Sequence, residues 1–236
     1  KYKTNFIPVD SEHFSIWSLL QNYNSNDIEK IFITASGGPF LRLPKKKFSN
    51  ISVKKALNHP NWKMGKKITI DSATMINKVF EVIEAKNIFN ISYKKIKILI
   101  HPSSYAHALI KFNNGITKII IHDTTMKIPI FNTLFFDDNK SLSSKNLDIK
   151  TLNNLDFNNV DKKKYPMINI LNLLPKNHSL FETVIVSAND TLVELFLTDK
   201  IKFNDIYKML MKIITLKEFI KLKKKYPHSI KEILDL

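Results

Sequence analysis

Three segments of this 236-residue chain concentrate the side chains able to do chemistry. They are Asp10-Ser11-Glu12-His13 in VDSEH, Ser36-Gly37-Gly38-Pro39-Phe40 in SGGPF, and the run HPNWKMGKKITIDSATMINKVFE from His59 to Glu81. Asp10, Glu12, Asp71 and Glu81 supply carboxylates, and serines, lysines and paired glycines stand among them. Carboxylate oxygens suit a hard divalent cation, whereas hydroxyls, lysines and glycine backbone suit a phosphate beside it. The chain has no cysteine, so a metal must sit on oxygen or imidazole, and disulfides and cysteine nucleophiles are excluded.

Several elements must position these groups. Phe6 to Val9 reads as a short buried strand ending at Asp10, with a helix from about His13 to Gln21 after it. Ile31 to Thr34 reads as a second strand, and Gly37-Gly38 as a turn able to approach a ligand closely. Val53 to Leu57 is a helical turn, and the polar, Pro- and Gly-punctuated run from Asn58 to Lys67 has the composition of a lid, with Trp62 and Met64 in it. Lys67 to Ile70 reads as a third strand, followed by a helix capped by Asp71 or Ser72 and continuing to about Phe89. On that helix Asn77, Lys78 and Glu81 emerge along neighbouring rows of one surface.

From Ile96 to Ile121 the pattern is strand-like, and Asn113-Asn114-Gly115 marks a hairpin between its last two runs. Pro129 to Phe136 suggests a short helix, and four later runs, from Met167, Thr191, Phe203 and Lys217, have helical spacing. The expected class is α+β: a mixed catalytic domain over 1–140 with a small connecting sheet at about 96–122, a polar linker over 141–160, and a helical bundle over 161–236.

The formal charge of +16 raises nucleic acid, acidic membranes and phosphorylated small molecules as partners. Arg42 is the single arginine among 37 cations, and arginine is the preferred residue for bidentate readout, so nucleic acid is not expected. No run of about 18 apolar residues exists, and no membrane partner is expected either.

VDSEH, SGGPF, HPNWKMGKK, DSATMINK followed by Glu81, and ILIHPSS, in this order and spacing, resemble the 1-deoxy-D-xylulose 5-phosphate reductoisomerases. The resemblance is strong over about residues 6–140 and weaker over 155–210. It implies metal-dependent rearrangement of a phosphorylated ketose, 1-deoxy-D-xylulose 5-phosphate, followed by hydride transfer from NADPH to give 2-C-methyl-D-erythritol 4-phosphate for isoprenoid biosynthesis. It implies Asp10, Glu12 and Glu81 as ligands of Mg or Mn, and Ser11, Ser36, His59, Ser72, Asn77 and Lys78 as substrate contacts. Lys78, Glu12 and His59 stand among the catalytic positions, and Trp62 and Met64 belong to a flap that closes over the substrate. A homodimer formed through the sheet at 96–122 and a bacterial cytoplasmic location, with a plastid as the second choice, are further implications.

The chain departs from the pattern in places. The resemblance places a dinucleotide-binding domain ahead of VDSEH, yet these residues contain only four glycines and no GxGxxG-like segment. The expectation is a C-terminal portion of a longer polypeptide that does not bind NADPH alone. Val79 stands where glycine is usual, Thr124-Thr125-Met126 replaces Pro-Asp-Met, and VSANDT at 186–191 keeps Asn189 while shortening the acid to Asp190. On composition and spacing alone, Asp10 and Glu12 also suit a helix-start acid pair, Glu81 a surface acid paired with Lys78 or Lys86, Trp62 a packing residue, and His101 a satisfied strand-end histidine. A non-catalytic remnant that keeps the fold is the alternative reading of the whole.

Overall fold

A computed structural model describes residues 6–236, which divide into two compact units. One unit comprises residues up to Ser36 together with Glu84–Val160, and the other comprises Gly37–Ile83 together with Asp161–Leu236.

The first unit is built on a five-stranded mixed sheet. Its strands are β1 (Ile28–Ala35), β2 (Ile96–Ile100), β3 (Ala106–Phe112), β4 (Thr117–Ile121) and β5 (Asn158–Asn159), in the order β4-β3-β1-β2-β5. β1 runs parallel to β2, with Ile31 opposite Ile96 and Ala35 opposite Ile100, and antiparallel to β3, with Ile31 opposite Ile110. Isoleucines fill these registers because β-branched side chains pack well on a pleated, half-buried surface. Ile31, Ile33, Ile96, Ile110 and Phe112 are buried, and helix α1 (Ser11–Leu19) lies on the sheet with Phe14, Ile16 and Leu19 inward. β3 and β4 form the expected hairpin, and Gly115 in its turn has φ +86°.

In the second unit, α2 (Val53–Ala56), α3 (Lys66–Thr74) and the start of α4 (Ile76–Phe89) precede the C-terminal helices. α4 continues past Ile83, so its last turns belong to the first unit, which also holds the short helices α5 (Lys127–Leu134) and α6 (Ile149–Asn153). α7 (Phe181–Leu197) and α8 (Phe203–Ile214) pack together, followed by α9 (Lys217–Ile220) and α10 (Ile230–Leu234), and α7 also contacts α3. An aromatic cluster fixes this packing: Phe203 lies edge-on to Phe40 at 5.3 Å and to Phe196 at 5.6 Å between ring centroids.

Three expectations are corrected. Phe6 to Val9 forms no strand; Phe6 and Val9 are exposed, and α1 begins directly at Ser11 with Asp10 as its cap. Lys67 to Ile70 is the first turn of α3, not a strand, and Thr69 Oγ1 donates to the Gly65 carbonyl as an i−4 helical side chain does. Helix α3 then stops at Met75, whose φ of +67° breaks the segment from α4. Ser72 therefore sits in the last turn of α3 and does not cap a helix N-terminus.

Candidate active site

In the first unit, VDSEH forms the start of α1. The Oδ1 atom of Asp10 accepts from the backbone N–H groups of Glu12 and His13 at 3.1 and 3.2 Å, which is N-capping, and meets His13 Nδ1 at 2.8 Å. His13 is almost wholly buried, and its Nε2 lies 3.7 Å from the Glu84 carboxylate. The imidazole thus orients Asp10, much as an outer-shell partner orients a metal ligand. The Ser11 hydroxyl donates to Glu12. Ser36 directly follows β1 at the sheet's end, ahead of Gly37 and Gly38 with φ of +83° and +65°.

In the second unit, the break at Met75 makes Ile76 to Lys78 the first turn of α4. Asn77, Lys78 and Glu81 are brought together as their spacing required. Lys78 Nζ donates to both Glu81 oxygens at 2.8 and 2.7 Å, and Asn77 Nδ2 donates to Oε1. Lys78 and Glu81 are both buried, so Glu81 is not the surface acid that helical spacing alone allows.

His59 bridges the 58–65 loop and α3. Its Nε2 lies 3.1 Å from Ser72 Oγ, while its Nδ1 faces the backbone N–H groups of Asn61 at 3.2 Å and Trp62 at 3.0 Å. Burial, with the Lys78 ammonium second, lowers its pKa to about 4. Trp62 and Met64 are half-buried in the same loop. Gly38 lies against α3, where an added Cβ would stand 3.0 Å from the Ser72 carbonyl oxygen.

Sequence reasoning missed a buried network behind Ser72. Asp71 is 1% exposed; it meets Lys67 Nζ at 2.7 Å and accepts from Asn189 Nδ2 at 2.9 Å. Lys67 also reaches Asp190 at 2.8 Å and lies over the Phe80 ring. The i,i+4 spacing of Lys67 and Asp71 was an available signal, hidden once the segment was read as a strand. His13, three residues after Asp10, was findable in the same way. His107 and His122 form a parallel stack with centroids 3.7 Å apart in the first unit, a pairing that no sequence spacing announced.

A family model described as the 1-deoxy-D-xylulose 5-phosphate reductoisomerase C-terminal domain matches residues 6–89, and a second, described as the DXP reductoisomerase C-terminal domain, matches residues 122–236. The chain belongs to the 1-deoxy-D-xylulose 5-phosphate reductoisomerase family. The reductoisomerase of Pelagibacter ubique is 64% identical over all 236 residues, which span 61% of that protein. That of a Sulfurihydrogenibium species is 42% identical over 219 residues, or 93% of this chain and 58% of the relative. A crystal structure of a DOX-P reductoisomerase in complex with NADPH, fosmidomycin and magnesium superposes with a TM-score of 0.88 at 32% identity, covering 97% of this chain and 60% of that one. The chain therefore spans about three-fifths of the length of the reductoisomerases it matches. The α+β class expected from the sequence agrees with that likeness.

Proposed function

We propose that this chain is the substrate- and metal-binding part of an enzyme that rearranges 1-deoxy-D-xylulose 5-phosphate and reduces it, with NADPH, to 2-C-methyl-D-erythritol 4-phosphate. The observation that carries this reading is the Asn77-Lys78-Glu81 arrangement on α4: a buried carboxylate that accepts hydrogen bonds from a buried lysine and an amide. Membership of the reductoisomerase family and the magnesium and NADPH in the related crystal structure support it.

Asp10, Glu12 and Glu81 would hold Mg or Mn. The donor set is all carboxylate, as a hard cation requires, and the hydrogen bonds on Asp10 and Glu81 orient these side chains before any ligand arrives. When bound, such a cation polarises a carbonyl oxygen and stabilises a developing alkoxide or enolate. Ser11 orients Glu12 and stands beside the substrate's oxygens. Lys78 supplies positive charge to the phosphate, Asn77 and Ser72 neutral donors, and Ser36 a hydroxyl at the strand end, while His59 acts through Ser72, which its Nε2 faces. Trp62 and Met64 cover the substrate and exclude water from the aldehyde intermediate. Glu12 and Lys78 thus touch the reacting molecule or its charges. NADPH belongs in this reading to the whole protein, bound outside these residues, which carry no glycine-rich dinucleotide turn.

Calorimetric titration of the chain with 1-deoxy-D-xylulose 5-phosphate, with and without Mn, tests the reading. Binding that requires the metal is expected, and Glu81→Gln removes the metal dependence while leaving helical content unchanged. Metal-independent binding, or wild-type behaviour of Glu81→Gln, overturns the ligand assignment. No binding in either condition favours a remnant that keeps the fold without the chemistry.

A further inference from the structure

The ring of His59 has a hydrogen-bonding environment that leaves no choice of tautomer. Two backbone N–H groups, those of Asn61 and Trp62, point at Nδ1, and a backbone N–H can only donate. Nδ1 must therefore carry its lone pair. In the neutral ring the hydrogen then sits on Nε2, which faces Ser72 Oγ at 3.1 Å, so Ser72 accepts from His59 and its own hydroxyl hydrogen is directed to another acceptor. One ring thus clips the backbone of the 58–65 loop on one edge and a serine of α3 on the other, 13 residues away.

We infer that His59 is a positioning residue, fixed as the neutral Nε2–H tautomer, that latches the Trp62 loop to the Ser72 hydroxyl and sets which way Ser72 donates. Proton transfer is not its task. A proton placed on Nδ1 would confront two N–H donors and break the clip at Trp62, so the ring must stay neutral for the loop to keep its shape. Burial and the neighbouring Lys78 ammonium act in the same direction. The consequence for ligands rests on the proposed place of Ser72 among the phosphate contacts: an anion there accepts a hydrogen bond from the Ser72 hydroxyl, with His59 supporting the serine from behind and holding Trp62 at a fixed reach.

The two halves of the latch can be separated. Asn at position 59 keeps an acceptor near the Nδ1 position and loses the donor to Ser72, whereas Gln keeps a donor near Nε2 and loses the acceptor for the loop. In the full chain with Trp17→Phe, so that Trp62 alone reports, His59→Asn should keep the wild-type emission and weaken inorganic phosphate binding at least fivefold. His59→Gln should red-shift Trp62 emission and change phosphate affinity by less than twofold. Identical effects of both substitutions would overturn the latch.

Nitrogen-15 NMR of histidine-labelled wild-type chain supplies an independent arm that needs no variant to fold beyond assignment. The Nε2–H pattern should persist down to about pH 5, well below the ordinary histidine value of about 6.5. A Nδ1–H pattern, or protonation near 6.5, would overturn the inference. Failure of the wild type to bind phosphate, with the Nε2–H pattern intact, would overturn the phosphate role of Ser72 and leave the tautomer latch standing.

Discussion

Asp71 is a carboxylate almost wholly out of water, and Lys67, itself 44% exposed, is its main counter-charge. Burial pushes the Asp71 pKa up, against the hydrogen bonds from Lys67 and Asn189. The folded state therefore binds this proton more readily than the unfolded one, and stability falls as pH rises through that raised value. Lys67→Met keeps the stem over Phe80 but leaves the ionised carboxylate with Asn189 alone. We expect a loss of about 2 kcal/mol at pH 7, the order for a buried charge stripped of a partner. Because protonation of Asp71 removes the charge, and its pKa is raised, the gap between variant and wild type should narrow as pH falls from neutrality towards the ordinary carboxylate range. Urea denaturation over a pH series checks this, and a pH-independent gap would show that Lys67 acts through packing instead. The acid itself was legible in DSATMINK, but its partner Asn189 lies 118 residues further on, and such pairing has no local signature.

At the scale of elements, what could be read from sequence followed local rules. The β3–β4 hairpin was announced by Asn113-Asn114-Gly115, and the α4 triplet by three- and four-residue spacing. Segment 67–70 was misread because Ile-Thr-Ile is a β-branched run whose strand preference is overridden here by burial of Thr69, Ile70 and Ala73 on one helix face. The left-handed Met75 has no glycine or asparagine to advertise it, so the α3–α4 break stayed invisible. Gly38 shows how tightly the SGGPF turn is set against α3: an added Cβ would lie 3.0 Å from the Ser72 oxygen and 3.3 Å from the Ala73 Cα, both backbone atoms that cannot swing aside. Gly115 has a similar positive φ but open space around it. Gly115→Ala should cost about 1 kcal/mol, the conformational term alone. Gly38→Ala should cost about 2 to 3 kcal/mol, adding a clash of the overpacking order. Chemical denaturation of the two variants measures the difference, and equal losses would mean that the turn and α3 separate without cost.

For the whole molecule, the sheet raises a question that its own unit does not answer. α1 covers one face, yet along the opposite row Phe32, Leu109 and Ile119 stand in register on β1, β3 and β4, with Phe32 and Leu109 half-exposed and Ile119 39% exposed. Among the described residues β4 is also an edge strand of the sheet. Apolar side chains in register on an exposed sheet face suit burial against another surface. The dimer implied by the family resemblance is therefore proposed to form through this sheet. Ile119→Lys puts a charge into such an interface but leaves the monomer core untouched, since Ile119 contributes little to it. The expected result is a dimer weakened at least a hundredfold, about 2.7 kcal/mol, with thermal stability of the dissociated chain changed by less than about 0.5 kcal/mol as for other surface substitutions. Sedimentation velocity over a concentration series decides between outcomes. A wild-type chain monomeric at all concentrations, or a variant as dimeric as the wild type, would move the interface elsewhere and leave the exposed row on β1, β3 and β4 as a surface awaiting a different partner.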